Sequence, residues 1–276
     1  MSFYSGKKVL ITGGSSGIGL SAALQLAREG AHVGLVARRQ AVLDEAIAQV
    51  RAAGGAAQRF ATFSVDVTDR DAVRQLAVDA VEQLGGLDIL INNSGFAYPV
   101  PMLELTDDQI DRMTAVNYLG HVNVTRALLP HFVAQRSGHI CNVTSMLGFM
   151  GIYGYSAYCG SKYAIVGMSE CLRQEMLPHN VQVSVFYPPT TDTPGLAEEN
   201  TVKPPETWAI EGKSQAFHPD QVAGSLLAGI RKGRFTNMIG AGNWAIFYAQ
   251  RFAPWLVRAV TDAELRKHMK KRLAGS

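Results

Sequence analysis

The sequence has little of what marks the special classes of protein. Its 276 residues include only three cysteines, an odd number without a Cys-x-x-Cys pair, which favours a reducing compartment and indicates no thiolate metal site. The net charge is only +3, so nucleic acid is not an indicated partner. No apolar run is long enough to span a bilayer, and residues 9–11 are too few for the core of a signal peptide. We therefore expect a cytoplasmic protein without a bound metal.

What is present is the composition of an ordinary globular chain. Hydrophobic residues make up 47% of the sequence and charged residues 18%, which excludes a disordered or collagen-like protein. The length is sufficient for one large domain with a well-buried core. Because no linker or internal repeat interrupts the chain, we predict a single domain over residues 1–276.

Over the first 190 residues, short β-branched runs alternate with segments of helical periodicity. The strand candidates are Val9–Thr12, His32–Ala37, Arg59–Val67, Leu87–Asn92, His139–Ser145 and Val181–Tyr187, with a last short one near 235–239. Repeated strand–helix–strand units with right-handed crossovers place helices on both faces of a parallel sheet. The pattern predicts a doubly wound (Rossmann) α/β fold of about seven strands.

The pattern changes after the sixth strand candidate. Residues 188–220 contain six prolines, too many for one long helix or a central strand, so we predict a lid over the substrate there. A helix from 219 to 231 should follow. Residues 240–276 are predicted to form an amphipathic helical extension.

A glycine-rich turn, Thr12-Gly13-Gly14-Ser15-Ser16-Gly17-Ile18-Gly19, follows the first strand and opens the first helix. Gly13 permits the tight turn, Gly17 lets the backbone approach a pyrophosphate, and Gly19 lets the helix lie close to the sheet. The second strand ends at Arg38 and Arg39 where sites that prefer NAD place a carboxylate. The two guanidinium groups suit a 2′-phosphate, so the expected cofactor is NADPH/NADP+.

Further cofactor contacts follow from position in the fold for Asp66, Val67, Asn93 and Gly95, whereas Tyr158, Lys162 and Thr193 are included on a family resemblance that these and other motifs carry. The predicted set comprises Thr12, Gly13, Ser15, Ser16, Gly17, Ile18, Gly19, Arg38, Arg39, Asp66, Val67, Asn93, Gly95, Tyr158, Lys162, Pro188, Thr191 and Thr193. The catalytic candidates are Asn117, Ser145, Tyr158 and Lys162. Tyr158 and Lys162 are four residues apart and share a helix face, and Ser145 ends the fifth strand, where ligands of open α/β sheets bind.

Together TGGSSGIG, NNSG, Asn117, Ser145 and the Tyr158/Lys162 pair resemble the short-chain dehydrogenase/reductase family over residues 7–195. The resemblance implies the strand order 3-2-1-4-5-6-7, ketone–alcohol interconversion and a homodimer or homotetramer. It implies that Tyr158 protonates the carbonyl oxygen, that Lys162 brings the pKa of Tyr158 towards the working pH and holds the ribose, and that Ser145 aligns the substrate. Asn117 would keep a water behind Lys162. Ser94 and Pro189 depart from the family pattern, where Ala and Gly are usual.

The segment from Tyr187 to Asn200, continuing to Lys203 and Pro204, is similar to one subfamily, the 3-ketodihydrosphingosine reductases. That similarity implies NADPH-dependent reduction of a long-chain 2-amino-3-ketone. The substrate ammonium would favour a carboxylate, for which Asp192, Glu198 and Glu199 are candidates. An aromatic face with basic flanks, formed by Trp244, Phe247, Tyr248, Phe252 and Trp255, suits peripheral contact with a membrane.

Three alternatives stay open from the sequence. The chain could reduce another bulky ketone, such as a 3-oxoacyl group or a steroid, or it could be a non-catalytic module that senses NADP(H). The aromatic face could also pack on the domain or on a second subunit rather than on lipid.

Overall fold

The computed structural model of the chain describes residues 2–212 and 216–274, apart from the side chains of residues 272 and 274. Seven parallel strands form one sheet in the order β3-β2-β1-β4-β5-β6-β7. The strands are β1 (Lys8–Thr12), β2 (His32–Ala37), β3 (Phe60–Ser64), β4 (Ile89–Asn92), β5 (Gly138–Val143), β6 (Val181–Tyr187) and β7 (Thr236–Met238). The predicted doubly wound α/β fold and strand order are confirmed.

Helices cover both faces of the sheet. In chain order they are α1 (Gly17–Arg28), α2 (Gln40–Ala53), α3 (Arg70–Leu84), α4 (Asp107–Thr114), α5 (Gly120–Gln135), α6 (Ser156–Met176), α7 (Pro194–Asn200), α8 (Pro205–Glu211), α9 (Pro219–Arg231), α10 (Ala241–Phe252) and α11 (Pro254–Ala274). One apolar cluster joins α1, α2 and α9 to the sheet, and a second joins α3, α5 and α6 to the opposite face. The central strands are buried on both faces, as their continuous apolar runs require.

The parallel registers bring the carboxyl ends of three strands together. Thr12 of β1 is level with Asn92 of β4, which is level with Asn142 of β5. The loops after these strands therefore meet at one edge of the sheet, at the position where the chain reverses its direction of winding. Doubly wound sheets bind their ligands at this place.

The structure shortens three of the predicted strands. The third ends at Ser64 rather than at residue 67, because the Asp66 carboxylate accepts hydrogen bonds from the backbone N–H and the hydroxyl of Thr68 and turns the chain. The fourth begins two residues later than predicted, and the fifth ends two residues earlier, at Val143. These differences leave the order and direction of the strands unchanged.

The predicted lid contains more regular structure than the sequence indicated. The predicted lid over 188–220 carries α7 and α8, and each helix begins with a proline. Proline is tolerated at this position because the first residues of a helix donate no intrahelical hydrogen bond, so the missing N–H costs nothing. Residues 213–215 of the lid and 275–276 of the extension lie outside the described residues. The chain between α4 and α5 is π-helical over Ala115–Leu119, the segment that holds Asn117.

The division into a domain, a lid and an extension remains a prediction. The α9 helix occupies the predicted range, and β7 lies within the range of the last strand. Among the residues that the structure describes, no helix is both long and apolar enough to cross a bilayer.

Candidate active site

The glycine-rich turn is shaped by close approaches that only glycine permits. Gly13 and Gly17 have φ of 64° and 53°, in the left-handed region. A Cβ at Gly17 would lie 2.9 Å from Cγ2 of Thr193, and one at Gly13 would lie 3.0 Å from Cα of Ser94. The turn therefore lies directly against the lid on one side and the loop after β4 on the other.

Side chains from neighbouring strands lock the turn to the next loop. The Thr12 hydroxyl accepts hydrogen bonds from the backbone N–H groups of Asn93 (3.0 Å) and Ser94 (3.1 Å). Asn93 Nδ2 donates to the Gly13 carbonyl at 3.1 Å. A Cβ at Gly19 would overlap that same carbonyl, so the start of α1 is held close to the sheet.

The start of α1 presents backbone donors to the space above the sheet. Within the described ranges, Ser16 caps the helix without a side-chain hydrogen bond, and the first turn carries no acidic residue. The free N–H groups and the helix dipole favour an anion there. Arg38 and Arg39 are exposed just beyond β2, whose Val36 carbonyl accepts from Gly13 N at 2.8 Å. The cradle thus fits a dinucleotide that carries an extra phosphate on its adenosine ribose.

Ser145, Tyr158 and Lys162 come from two adjacent elements. Ser145 follows β5, and its Oγ accepts from Leu147 N at 3.1 Å. Tyr158 and Lys162 are one turn apart on α6, with the Lys162 Nζ 5.7 Å from the centre of the Tyr158 ring. Lys162 Nζ donates to the Val143 carbonyl at 3.3 Å, and the Thr144 hydroxyl donates to the Lys162 carbonyl at 2.9 Å. The end of β5 and the start of α6 are therefore held as one unit.

Asn117 lies behind this unit and is fully buried. Its Oδ1 accepts from Phe96 N and its Nδ2 donates to the Phe96 carbonyl, both at 2.9 Å. Nδ2 also donates to Ser161 Oγ at 3.1 Å. A Cβ at Gly95 would lie 3.1 Å from Lys162 Nζ and 3.2 Å from Asn117 Oδ1. The amide therefore ties the loop after β4 to α6. That it holds a water behind Lys162 stays a prediction.

Burial dominates the proton equilibria of the site. It raises the pKa of Tyr158 far above its usual value, while the hydrogen bond with Ser145 lowers that pKa and the Glu199 carboxylate raises it. Burial also lowers the pKa of Lys162 to about 7. Desolvation penalises both charged forms, and the implied effect of Lys162 on the pKa of Tyr158 stays a prediction. A phenol that keeps its proton is the form able to donate one.

A cavity of about 610 Å³ connects the turn, these side chains and the lid. Of the predicted site residues, the following line it: Gly13, Ser15, Ser16, Gly17, Ile18, Asn93, Gly95, Ser145, Tyr158, Lys162, Pro188, Thr191 and Thr193. The predicted residues outside its lining are Thr12, Gly19, Arg38, Arg39, Asp66, Val67 and Asn117. Thr12, Gly19 and Asn117 act on the shape of the cavity through the contacts described above. The two arginines lie beyond β2, and Asp66 and Val67 follow β3.

Sequence reasoning missed most of the apolar part of this cavity. Its lining includes Phe96, Met146, Leu147, Met150, Ile152, Leu196, Ile210 and Ile246. Of these, Phe96 and Met146 directly follow predicted site residues in sequence, Gly95 and Ser145. Leu196 and Ile210 come from α7 and α8, and Ile246 comes from α10, so the extension contributes to the cavity. No local pattern distinguishes such residues from ordinary core positions.

His121 is a further residue that the sequence did not single out. It lies one turn beyond Asn117, and only 1% of it is exposed. Its Nε2 is 2.9 Å from the Ser94 carbonyl, while Nδ1 has no hydrogen-bond partner among the described residues. Burial, followed by the charge of Lys162, lowers the pKa of His121 to about 3. The ring is therefore neutral, and its Nε2–H supports the loop after β4.

The structure places the members of two predicted groups, the three candidate carboxylates and the aromatic face, in different environments. Asp192 and Glu198 are exposed outside the cavity, whereas Glu199 lines it. On α10, the Phe247 ring packs 5.9 Å from that of Tyr187, and Trp244 packs beside it. The rest of the predicted aromatic face, Tyr248, Phe252 and Trp255, is exposed. The face is therefore split between the core and the surface.

A doubly wound sheet that puts a proton donor beside a glycine-rich nucleotide turn defines a dinucleotide-dependent oxidoreductase. The family model for short chain dehydrogenase matches residues 7–203. The chain belongs to the short-chain dehydrogenase family, as the sequence motifs implied.

Relatives with curated descriptions extend this likeness over most of the chain. A 3-dehydrosphinganine reductase of Danio rerio is 40% identical over 243 residues, which cover 87% of this chain and 73% of that protein. A 3-ketodihydrosphingosine reductase of Mus musculus is 38% identical over the same shares. Among solved structures, a short chain dehydrogenase from Burkholderia cenocepacia in complex with NADP has a TM-score of 0.76 and 25% identity, and covers 94% of this chain and 98% of its own.

Proposed function

We propose that the chain reduces 3-ketodihydrosphingosine to dihydrosphingosine with NADPH as the reductant, a step of sphingolipid synthesis. The observation that carries the proposal is the cavity itself, in which Ser145, Tyr158 and Lys162 adjoin both the nucleotide turn and an apolar region. The names of the curated relatives agree with this reaction. An apolar lining beside a few polar groups suits a long alkyl chain that ends in a polar ketone.

NADPH, when bound, supplies a hydride to the carbonyl carbon. The glycine-rich turn and the start of α1 would hold its phosphates, and Arg38 with Arg39 would hold the 2′-phosphate. Lys162 would hold the nicotinamide ribose through Nζ, which the Val143 carbonyl orients. Thr193 lies against Gly17 and caps α7, so the nucleotide turn contacts the start of this lid helix.

The substrate carbonyl is received by two hydroxyl groups. Ser145 donates a hydrogen bond to the carbonyl oxygen and aligns it. Tyr158 donates its phenolic proton to the same oxygen as the hydride arrives. Burial raises the pKa of Tyr158, so the phenol carries the proton that this step needs.

Consumption of NADPH in the presence of 3-ketodihydrosphingosine tests this proposal, with Tyr158→Phe as the matched variant. We expect Tyr158→Phe to bind NADPH with the wild-type affinity in a fluorescence titration. Its kcat should fall by about 10²- to 10⁴-fold. Kinetics with a 3-oxoacyl thioester and a ketosteroid run beside it separate the alternative bulky ketones. Full turnover in Tyr158→Phe would contradict the role of the phenol, and binding without turnover on every ketone would favour the NADP(H)-sensing module.

The exposed part of the extension supports contact with a membrane surface. Phe252 is 80% exposed and Trp255 is 67% exposed, and Arg251 and Arg258 flank them. Ile246 on the same helix as Phe252 lines the cavity. We infer that this surface rests on an anionic bilayer and lets the alkyl chain of the substrate enter. The compartment and the homodimer or homotetramer implied by the family stay predictions.

A further inference from the structure

A group of charged side chains in the lid lies within reach of the reacting centre. The lid cluster consists of Tyr155, Glu199, Lys203 and Glu211. Lys203 Nζ is 3.2 Å from Glu199 Oε1 and 2.9 Å from Glu211 Oε2. The Tyr155 hydroxyl donates to Glu199 Oε1 through a short hydrogen bond and lies 3.3 Å from Glu211 Oε1. The cluster therefore joins the start of α6 to both lid helices.

The lid cluster adjoins the proton donor directly. The ring centres of Tyr155 and Tyr158 are 5.7 Å apart. Glu199 lines the same cavity as Tyr158, whereas Lys203 does not, and only 1% of the Lys203 side chain is exposed. The carboxylate is thus presented to the cavity while its cationic partner is withdrawn behind it, over the face of Trp208 at 4.6 Å.

The two contacts of the Glu199 carboxylate involve the same oxygen, Oε1. Both Tyr155 and Lys203 engage Oε1. Within residues 2–212 and 216–274, Oε2 has no hydrogen-bond partner, and 18% of the side chain is exposed. A partly buried carboxylate oxygen in a cavity gains most from a charged donor, since water can solvate it only partly.

We propose that Glu199 binds the ammonium group at C2 of the substrate and so selects 2-amino-3-ketones over simple long-chain ketones. The inference rests on the proposed function and deepens it. The ammonium is on the carbon next to the carbonyl that Ser145 and Tyr158 receive, and Glu199 accepts a hydrogen bond from Tyr155, whose ring centre is 5.7 Å from that of Tyr158. A bound ammonium would also offset the carboxylate charge, which, after burial, raises the pKa of Tyr158. Of the three carboxylates that the sequence suggested, the structure leaves only Glu199 in the cavity.

The test compares two ketones in three forms of the full chain. The ketones are 3-ketodihydrosphingosine and the 1-hydroxy-3-ketone of equal length without the amine. The forms are the wild type, Glu199→Gln and Glu198→Gln, which alters the exposed neighbouring residue. We expect the wild type to prefer the amino ketone in kcat/KM, and Glu199→Gln to reduce that preference by about 10- to 100-fold, mainly through KM. Glu198→Gln should keep the wild-type preference.

The ratio of the two ketones separates recognition from folding. A loosened lid lowers kcat/KM for both ketones together and leaves their ratio unchanged, and that result would overturn the role of Glu199. Equal use of the two ketones by the wild type would also overturn it while leaving the proposed reductase function intact. If the wild type reduces neither ketone, the proposed function fails as well, so the two failures are distinguishable.

Discussion

The neutral, buried His121 makes a specific prediction about stability in acid. Its folded-state pKa is about 3, against 6.5 for an exposed imidazole, and burial is the main cause. The unfolded chain therefore binds the proton more strongly than the folded chain does. Stability from this residue is fully present above pH 6.5 and is lost progressively as the pH falls from 6.5 to about 3.

The magnitude follows from that interval. Each pH unit between the two pKa values changes the folding equilibrium tenfold, so the complete loss is about 5 kcal/mol. Between pH 7.5 and 5.0, His121 lowers the free energy of unfolding by about 2 kcal/mol. His139 is also buried, with a pKa lowered to about 4, and over the same range it contributes a similar loss of about 2 kcal/mol.

Urea unfolding at pH 7.5 and 5.0 measures the effect, with His121→Gln as the variant that keeps an N–H for the Ser94 carbonyl but does not titrate. Whatever its stability at pH 7.5, His121→Gln should lose about 2 kcal/mol less than the wild type on acidification. His139→Gln should reduce the loss of stability on acidification by a comparable amount. The two effects should add, since the two histidines make no hydrogen bond to each other. Equal losses in the wild type and His121→Gln would refute a buried neutral imidazole at this position.

Two further predictions concern the cofactor and the surface. Arg38→Asp should lower the preference for NADPH over NADH by about 10- to 100-fold in kcat/KM, whereas Arg28→Asp, at the far end of α1, should not. Equal use of both cofactors by the wild type would refute the assignment. A double change of Phe252 and Trp255 to serine should weaken sedimentation with phosphatidylserine-containing vesicles by about tenfold or more, whereas Leu103→Ser, at a residue that is more exposed than either, should not. Unchanged sedimentation of the double variant would refute the lipid surface.

The fold was predictable because its signals are local and repeat along the chain. Continuous apolar strands alternate with helical periods, and right-handed crossovers allow few topologies for such a pattern. The nucleotide turn was predictable for the same reason, since its residues are consecutive and each glycine answers a local steric demand. The ends of strands were less predictable, because side chains such as the Asp66 carboxylate decide where pairing stops.

The doubly wound sheet, the glycine-rich turn and the spacing of Tyr158 and Lys162 could be read from the amino-acid order, since each depends on residues close together in the chain. By contrast, three features depend on contacts between distant parts of the chain: the neutral state of His121, the link that Asn117 makes between the loop at Phe96 and α6, and the entry of Glu199, but not Asp192 or Glu198, into the cavity. Burial and partner choice are properties of the packed chain. Glu198 and Glu199 are adjacent and chemically identical, and the contacts of Glu199 with Tyr155 and Lys203 distinguish them in the folded chain.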